Sequence, residues 1–275
     1  MTGVGSTEPA NTAEMGRLPA EGVQRMFDRV APVYDAMNRV MTGGLDRRWR
    51  RITVERAVRA GDRVLDACCG TGDLAIAARR HGAADVVGLD FSEQMLERAR
   101  RKAPELEWVQ GDALALPFED ASFDAATVGF GIRNVDDLEA GLRELRRVLR
   151  PGGRLAILEI TTPRGVLAPF YRVWFDRIVP LLGRVLRPGG RLAILEITTP
   201  RGLLAPFYRV WFDRVVPLLG RVLPGGDAYT YLPASVRRFP VPEELSRLLE
   251  ANGFADVRFR LFAGSIVALH VGSAR

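Results

Sequence analysis

The residues with the clearest chemical potential lie in one ten-residue stretch, DACCGTGDLA, at positions 66–75. Gly70 and Gly72 permit a tight turn and close approach of the main chain to a ligand. The helix expected after them offers free N–H groups and the positive end of its dipole. Asp90 ends the next expected strand, where a carboxylate can hold ribose hydroxyls. Read as Gly-x-Gly-x-x-Ala, residues 70–75 also fit a dinucleotide fingerprint, so a nicotinamide-dependent oxidoreductase is one reading. Pyrophosphate, however, prefers a neutral or basic cradle, and Asp66 and Asp73 flank this one. Acids on both sides of the turn favour a cation instead. S-adenosylmethionine, with its α-amino group and sulfonium, has that character.

Other titratable groups point elsewhere. His270 stands in the apolar final strand SIVALHVG and is expected to be a core histidine; His81 precedes Gly82 at a helix end. Cys68 and Cys69 are adjacent, which rules out an ordinary fold-stapling disulfide, and with two distant histidines they make no recognisable zinc set. Packing within the turn is their expected role, in a reducing, cytoplasmic setting.

The elements that must position the turn alternate strand with helix. RVLDACCG is an apolar strand ending in glycine, DLAIAARRHG a short helix, ADVVGLDF a strand, and SEQMLERARRKA a helix with Ser92 as its N-cap. LEWVQGDA, the turn-rich LPFEDASF, the strand DAATVGFG, the helix DDLEAGLRELRRVL and the strand RLAILEI follow. This alternation predicts a doubly wound, mostly parallel α/β sheet with helices on both faces and a ligand at the carboxyl ends of its strands. Upstream, Met26, Phe27, Val30, Val33, Tyr34, Met37, Val40 and Met41 recur at helical spacing. Breaks at Pro32 and at Gly43-Gly44 interrupt that pattern, so a broken helical cap is expected over 21–60.

Length needs a correction before it is converted into domains. Residues 147–186 recur, shifted by 37, as residues 184–223, with two differences: Val166 against Leu203 and Ile178 against Val215. The expected organisation is a Gly/Ser/Thr/Pro/Ala-rich tail at 1–20 and one domain at 21–275, with repeat units at 150–186 and 187–223. Each unit carries RLAILEI, then TTPRG and an apolar stretch with internal prolines, which predicts broken helices with a broad apolar face. One copy can fill the native fifth-strand position. The other is expected either to append as an eighth strand, pairing with the following antiparallel strand, or to loop out.

Composition, 47% hydrophobic and 26% charged, is that of a chain able to bury a core. No apolar run approaches the ~18 residues of a membrane span, and the start lacks a secretory signal pattern. The net charge of +6 carries little weight as a nucleic-acid signal. The second repeat unit alone contributes +4, and of 39 basic residues only Lys102 is not Arg, a skew that genome composition readily produces.

VLDACCGTGD, GLDFSEQML, GDALALPFEDASFD and LRPGGRL resemble the successive motifs of class I S-adenosylmethionine-dependent methyltransferases. More narrowly, MFDRVAPVYDAMNRVMTGGLDRRWR, GFGIRNVDDLEAGLRELRRVLRPGG, YTYLPASVRRFP and GSIVALHVG resemble the ubiquinone/menaquinone biosynthesis C-methyltransferase family, from about Val23 to Gly272. The duplication departs from that pattern.

The resemblance implies a Rossmann-like fold with the cofactor against Asp66, Gly70, Thr71 and Gly72, Asp90 on the ribose, and Asp112 and Ala113 near the adenine. It implies methyl transfer to a ring carbon of a polyprenylated hydroquinone, demethylmenaquinol above a ubiquinone precursor because DACCGTGD is nearer that branch. Such a reaction calls for no metal, because the sulfonium is already activated; the protein must align the partners and loosen a phenolic proton. The resemblance points to Arg133, Asn134 and Tyr34 for that task. Arg is a poor free base, so the pair would act with a water or by stabilising a phenolate. Asn134 could otherwise cap a helix and Tyr34 could be a buried hydroxyl. A peripheral contact with the inner membrane face and a homodimer complete the expected partners, and a non-catalytic scaffold disabled by the duplication is the remaining alternative.

Overall fold

The computed structural model describes residues 20–42, 44–161, 235–236 and 238–275. The expected cap is three helices, α1 (Ala20–Val30), α2 (Tyr34–Met41) and α3 (Leu45–Ala57). Pro32 sits in a 3₁₀ turn, Ala31–Val33, between the first two, and Gly44, with φ of 78°, stands before the third. Both breaks fall at the residues expected to cause them. Val23, Met26 and Val30 are buried, while Phe27 and Tyr34 are half-buried; the side chains of Val33, Met37, Val40 and Met41 lie outside the described set.

β1 (Arg63–Ala67), α4 (Asp73–Arg80), β2 (Asp85–Asp90), α5 (Glu93–Lys102), β3 (Glu107–Gln110), β4 (Phe123–Gly129), α6 (Leu138–Val148) and β5 (Leu149–Ile160) follow in the alternation the sequence predicts. The Ser92 hydroxyl caps α5 by accepting from Met95 N at 3.2 Å. α7 (Pro242–Ala251), β6 (Phe254–Phe262) and β7 (Val267–Ala274) close the chain.

The seven strands form one sheet in the order β3-β2-β1-β4-β5-β7-β6. The first five are parallel, and β7 runs antiparallel between β5 and β6. Order reverses between β1 and β4, which is where a ligand crevice opens in such sheets. Central strands read as unbroken apolar runs because both faces are covered. Val64, Leu74, Leu158 and Leu269 pack towards α3 and α4; Leu65, Leu142, Leu155 and Leu245 pack towards α6 and α7.

The first repeat copy supplies β5, the native fifth strand. β5 pairs with β7 along seven consecutive positions, Arg154 to Ser273 through Ile160 to Val267. The antiparallel strand therefore pairs with the first copy, and an eighth strand between them is excluded. The second copy, the apolar remainder of the first, and the N-terminal tail through residue 19 lie outside the described residues.

Candidate active site

Asp66, one residue before the end of β1, is fully buried, and the chain leaves the strand through a turn with φ of 53° at Cys68, 54° at Gly70 and 81° at Gly72. Glycine is required at position 72, because a Cβ there would lie 2.3 Å from the Trp108 ring. The turn is stitched to the end of β2: Cys69 N donates to Leu89 O at 2.9 Å and Gly70 N to the Asp90 carboxylate at 2.8 Å. Asp66 accepts from Ala75 N at 3.0 Å and from the Thr127 hydroxyl at 2.8 Å. Asp90 also accepts from Ser92 N at 3.0 Å, which leaves lone pairs on both oxygens for ribose hydroxyls.

Beyond this turn lies a cavity of about 300 Å³. It brings together Tyr34, Asp66, Gly70, Thr71, Asp90, Asp112, Ala113 and Asn134 from elements scattered over a hundred residues. Of the expected site residues, Gly72 and Arg133 are outside its wall. The Arg133 guanidinium donates to Glu159 and to Phe130 O, each at 2.5 Å, and Glu159 is itself buried. Asn134 is not a helix cap; Asp137 caps α6 by accepting from Ala140 N at 2.9 Å. The Asn134 side-chain oxygen is buried without a partner.

Burial dominates the electrostatics. It pushes the Asp66 carboxyl up to about 7, against the hydrogen bonds from Thr127 and Ala75 and the charge of Arg50. Asp90 rises to about 6 for the same reason, against the amides of Ser92, Gly70 and Phe91. Two buried carboxyls held in this state favour a cation, whose charge offsets the cost of ionising them. The same burial, with Asp90 and Asp66 nearby, pushes the Cys68 and Cys69 thiols up, so both stay protonated and act as packing. His270 is a core residue: buried, bonded through Nε2 to Pro242 O at 2.9 Å and tilted against Phe259.

The cap closes the cavity with apolar and polar contacts. Phe27 meets Tyr34 and Phe91 edge-on at 6.3 Å each. Thr71 donates to Asp35 of α2 at 2.5 Å, and Lys102 bonds Asp35, Asp73 and Thr71 at 2.6, 2.7 and 2.9 Å. Sequence reasoning missed this knot, along with Arg50 and Glu159. A signal for Arg50 existed: it shares a helical face with Trp49, Thr53, Val54 and Ala57, so its charge was bound to be buried.

Residues 15–186 and 182–274 match the model of the ubiE/COQ5 methyltransferase family. The chain belongs to that family. Its match is split in two, and the split falls within the duplicated region. Among curated relatives, a demethylmenaquinone methyltransferase of Thermus thermophilus is 42% identical, covering 90% of this chain and 99% of its own. One from Deinococcus radiodurans is 39% identical over 93% of each chain. Among solved structures, a SAM-dependent methyltransferase of Thermotoga maritima shares the fold at a TM-score of 0.57 and 19% identity, covering 92% of this chain and 99% of that one. The [4+2]-cyclase SpnF follows at 0.56 and 21%, covering 94% and 97%. This member of the family is thus a methyltransferase using S-adenosylmethionine, and the acidic turn suits that donor. The nicotinamide reading falls with it.

Proposed function

We propose that the chain methylates a ring carbon of a polyprenylated hydroquinone, demethylmenaquinol, at the carboxyl ends of β1 and β4. The supporting observation is a single cavity whose acidic side faces the glycine turn and whose remaining wall carries Phe27, Phe91, Phe130 and Val135 beside Tyr34 and Asn134. S-adenosylmethionine, when bound, supplies an activated methyl group. Asp66 and Asp90 bind its charged and ribose parts, with Ala113 and Asp112 beside the base. Asn134, on the cavity wall, would hydrogen-bond the phenolic oxygen while its proton passes to water; the ortho carbon then takes the methyl group as the methyl–sulfur bond breaks and S-adenosylhomocysteine leaves, and the ring proton at that carbon returns to the oxygen. Tyr34 bears on the same space from the cap. Arg133 acts from behind the wall as a positioning residue, fixing the corner that carries Asn134.

A polyprenyl tail stays in the bilayer, so the chain would meet its substrate at the membrane surface; no helix among the described residues is long and apolar enough to cross it. Incubation with demethylmenaquinol and methyl-deuterated cofactor, read by mass spectrometry, is expected to give labelled menaquinol. Calorimetric binding of the cofactor with no transfer to demethylmenaquinol or to a ubiquinone precursor would replace this reading with a scaffold disabled by the duplication.

A further inference from the structure

The cavity wall carries six acids, Glu21, Asp66, Asp73, Asp90, Asp112 and Asp136. Among the described residues it carries one cation, Arg50. The methyl donor has the complementary pattern: two positive groups, the sulfonium and the α-amino group, and one negative group, the α-carboxylate. Acids account for the first two, and a carboxylate placed among those acids without a cation would be repelled. We infer that Arg50 is the anchor for the α-carboxylate of the methyl donor. The inference rests on the cofactor assignment above and extends it to a residue of α3.

Geometry supports that role independently of charge counting. The Arg50 side chain is 10% exposed, and one nitrogen, Nη1, donates to the Asp46 carboxylate. Asp46 is in turn held by the Thr42 hydroxyl at 2.8 Å. The Asp73 carboxylate stands 3.8 Å from the same Nη1. The guanidinium carbon lies 5.8 Å from the centre of the Phe130 ring, so the group packs over the left-handed residue that follows β4. Nε and Nη2 make no hydrogen bond to any described residue, which leaves a two-pronged donor edge on an immobilised side chain. That is the arrangement a bidentate carboxylate requires. A purely structural partner for Asp46 would need only the bond it already makes, and would have no reason to line the cofactor cavity.

Calorimetry on the full-length protein separates the two roles by varying the ligand. The probes are S-adenosylhomocysteine and S-adenosyl-3-thiopropylamine, which lacks only the carboxylate. The unaltered protein is expected to bind the first at least about tenfold more tightly, the scale of one charge-assisted contact. Arg50→Gln should weaken S-adenosylhomocysteine by that factor and leave the amine unchanged, closing the gap. Arg50→Lys keeps the charge and loses the fork, so an intermediate gap is expected; it provides the same readout if the Gln variant does not fold. Asp46→Asn should preserve the gap. Equal binding of both ligands by the unaltered protein, or equal weakening of both in Arg50→Gln, would overturn the assignment while leaving the cofactor site intact. Binding of neither ligand would instead sink the cofactor reading on which it rests.

Discussion

The two ends of the cavity are built on different plans. At the β1–β2 end, the carboxylates of Asp66 and Asp90 accept from main-chain amides of Ala75, Gly70 and Ser92, so their positions are set by the backbone of the turns and helix that follow the two strands. Around the ends of β4 and β5, three buried polar atoms have no partner: Arg133 Nε, Asn134 Oδ1 and Thr161 Oγ1. Leaving a buried polar atom unmade costs about 1–3 kcal/mol. The first end is preorganised for its ligand before the ligand arrives; the second holds unmet bonding capacity beside the place where the acceptor is proposed to sit. Both carry a non-glycine residue in the left-handed region, Cys68 and Phe130, and such strain collects at functional sites.

The largest expected effect comes from breaking the preorganised end. Gly72→Ala combines a positive φ with a Cβ inside the Trp108 ring, and should cost about 3–5 kcal/mol, seen as a melting-temperature drop together with lost cofactor binding. The same change at Gly152, whose φ is 76° in open space, should cost only about 1 kcal/mol. If the two variants melt alike, crowding by Trp108 is not what demands glycine.

Asn134→Ala tests the other end. Turnover should fall about a hundredfold while the affinity for S-adenosylhomocysteine changes less than about twofold, because the residue serves the acceptor and not the donor. A parallel loss of cofactor affinity would erase the distinction between the two ends.

The most diagnostic effect concerns pH. Between its ordinary value near 3.8 and about 7, Asp66 holds in the folded protein a proton that the unfolded chain has released. Stability of the free protein is therefore expected to fall as pH rises through that window, with the loss complete above about 7. Affinity for S-adenosylmethionine runs the opposite way, rising from pH 5.5 to 7.5 as Asp66 and Asp90 ionise. Asp66→Asn should stabilise the free protein at pH 7.5 and reduce the slope of both profiles to the part that Asp90 contributes, measured by chemical denaturation and calorimetry.

The parallel sheet, the glycine turn and Asp90 were legible because each leaves a local signature: apolar runs, glycines at fixed spacing, an acid at a strand end. Arg133 was expected beside the cofactor turn, but its burial against Glu159 left no local signature, since that partner lies 26 residues away on a neighbouring strand and no spacing rule links them. Lys102 is 31 residues from Thr71 and escaped for the same reason. Two near-identical copies of RLAILEI offer identical strand propensity, so only the pairing of β5 with β7 shows which one the sheet uses.

Trp108 wedges its ring where side chains of residues 72 and 88 would otherwise lie, and its Nε1 donates to Ala103 O at 2.9 Å. Any loosening of the glycine turn must therefore alter the surroundings of that indole. With the other three of its four tryptophans replaced, the protein would carry an optical gauge at the donor pocket, its ultraviolet emission reporting on the bend without a label, a substrate or a turnover assay.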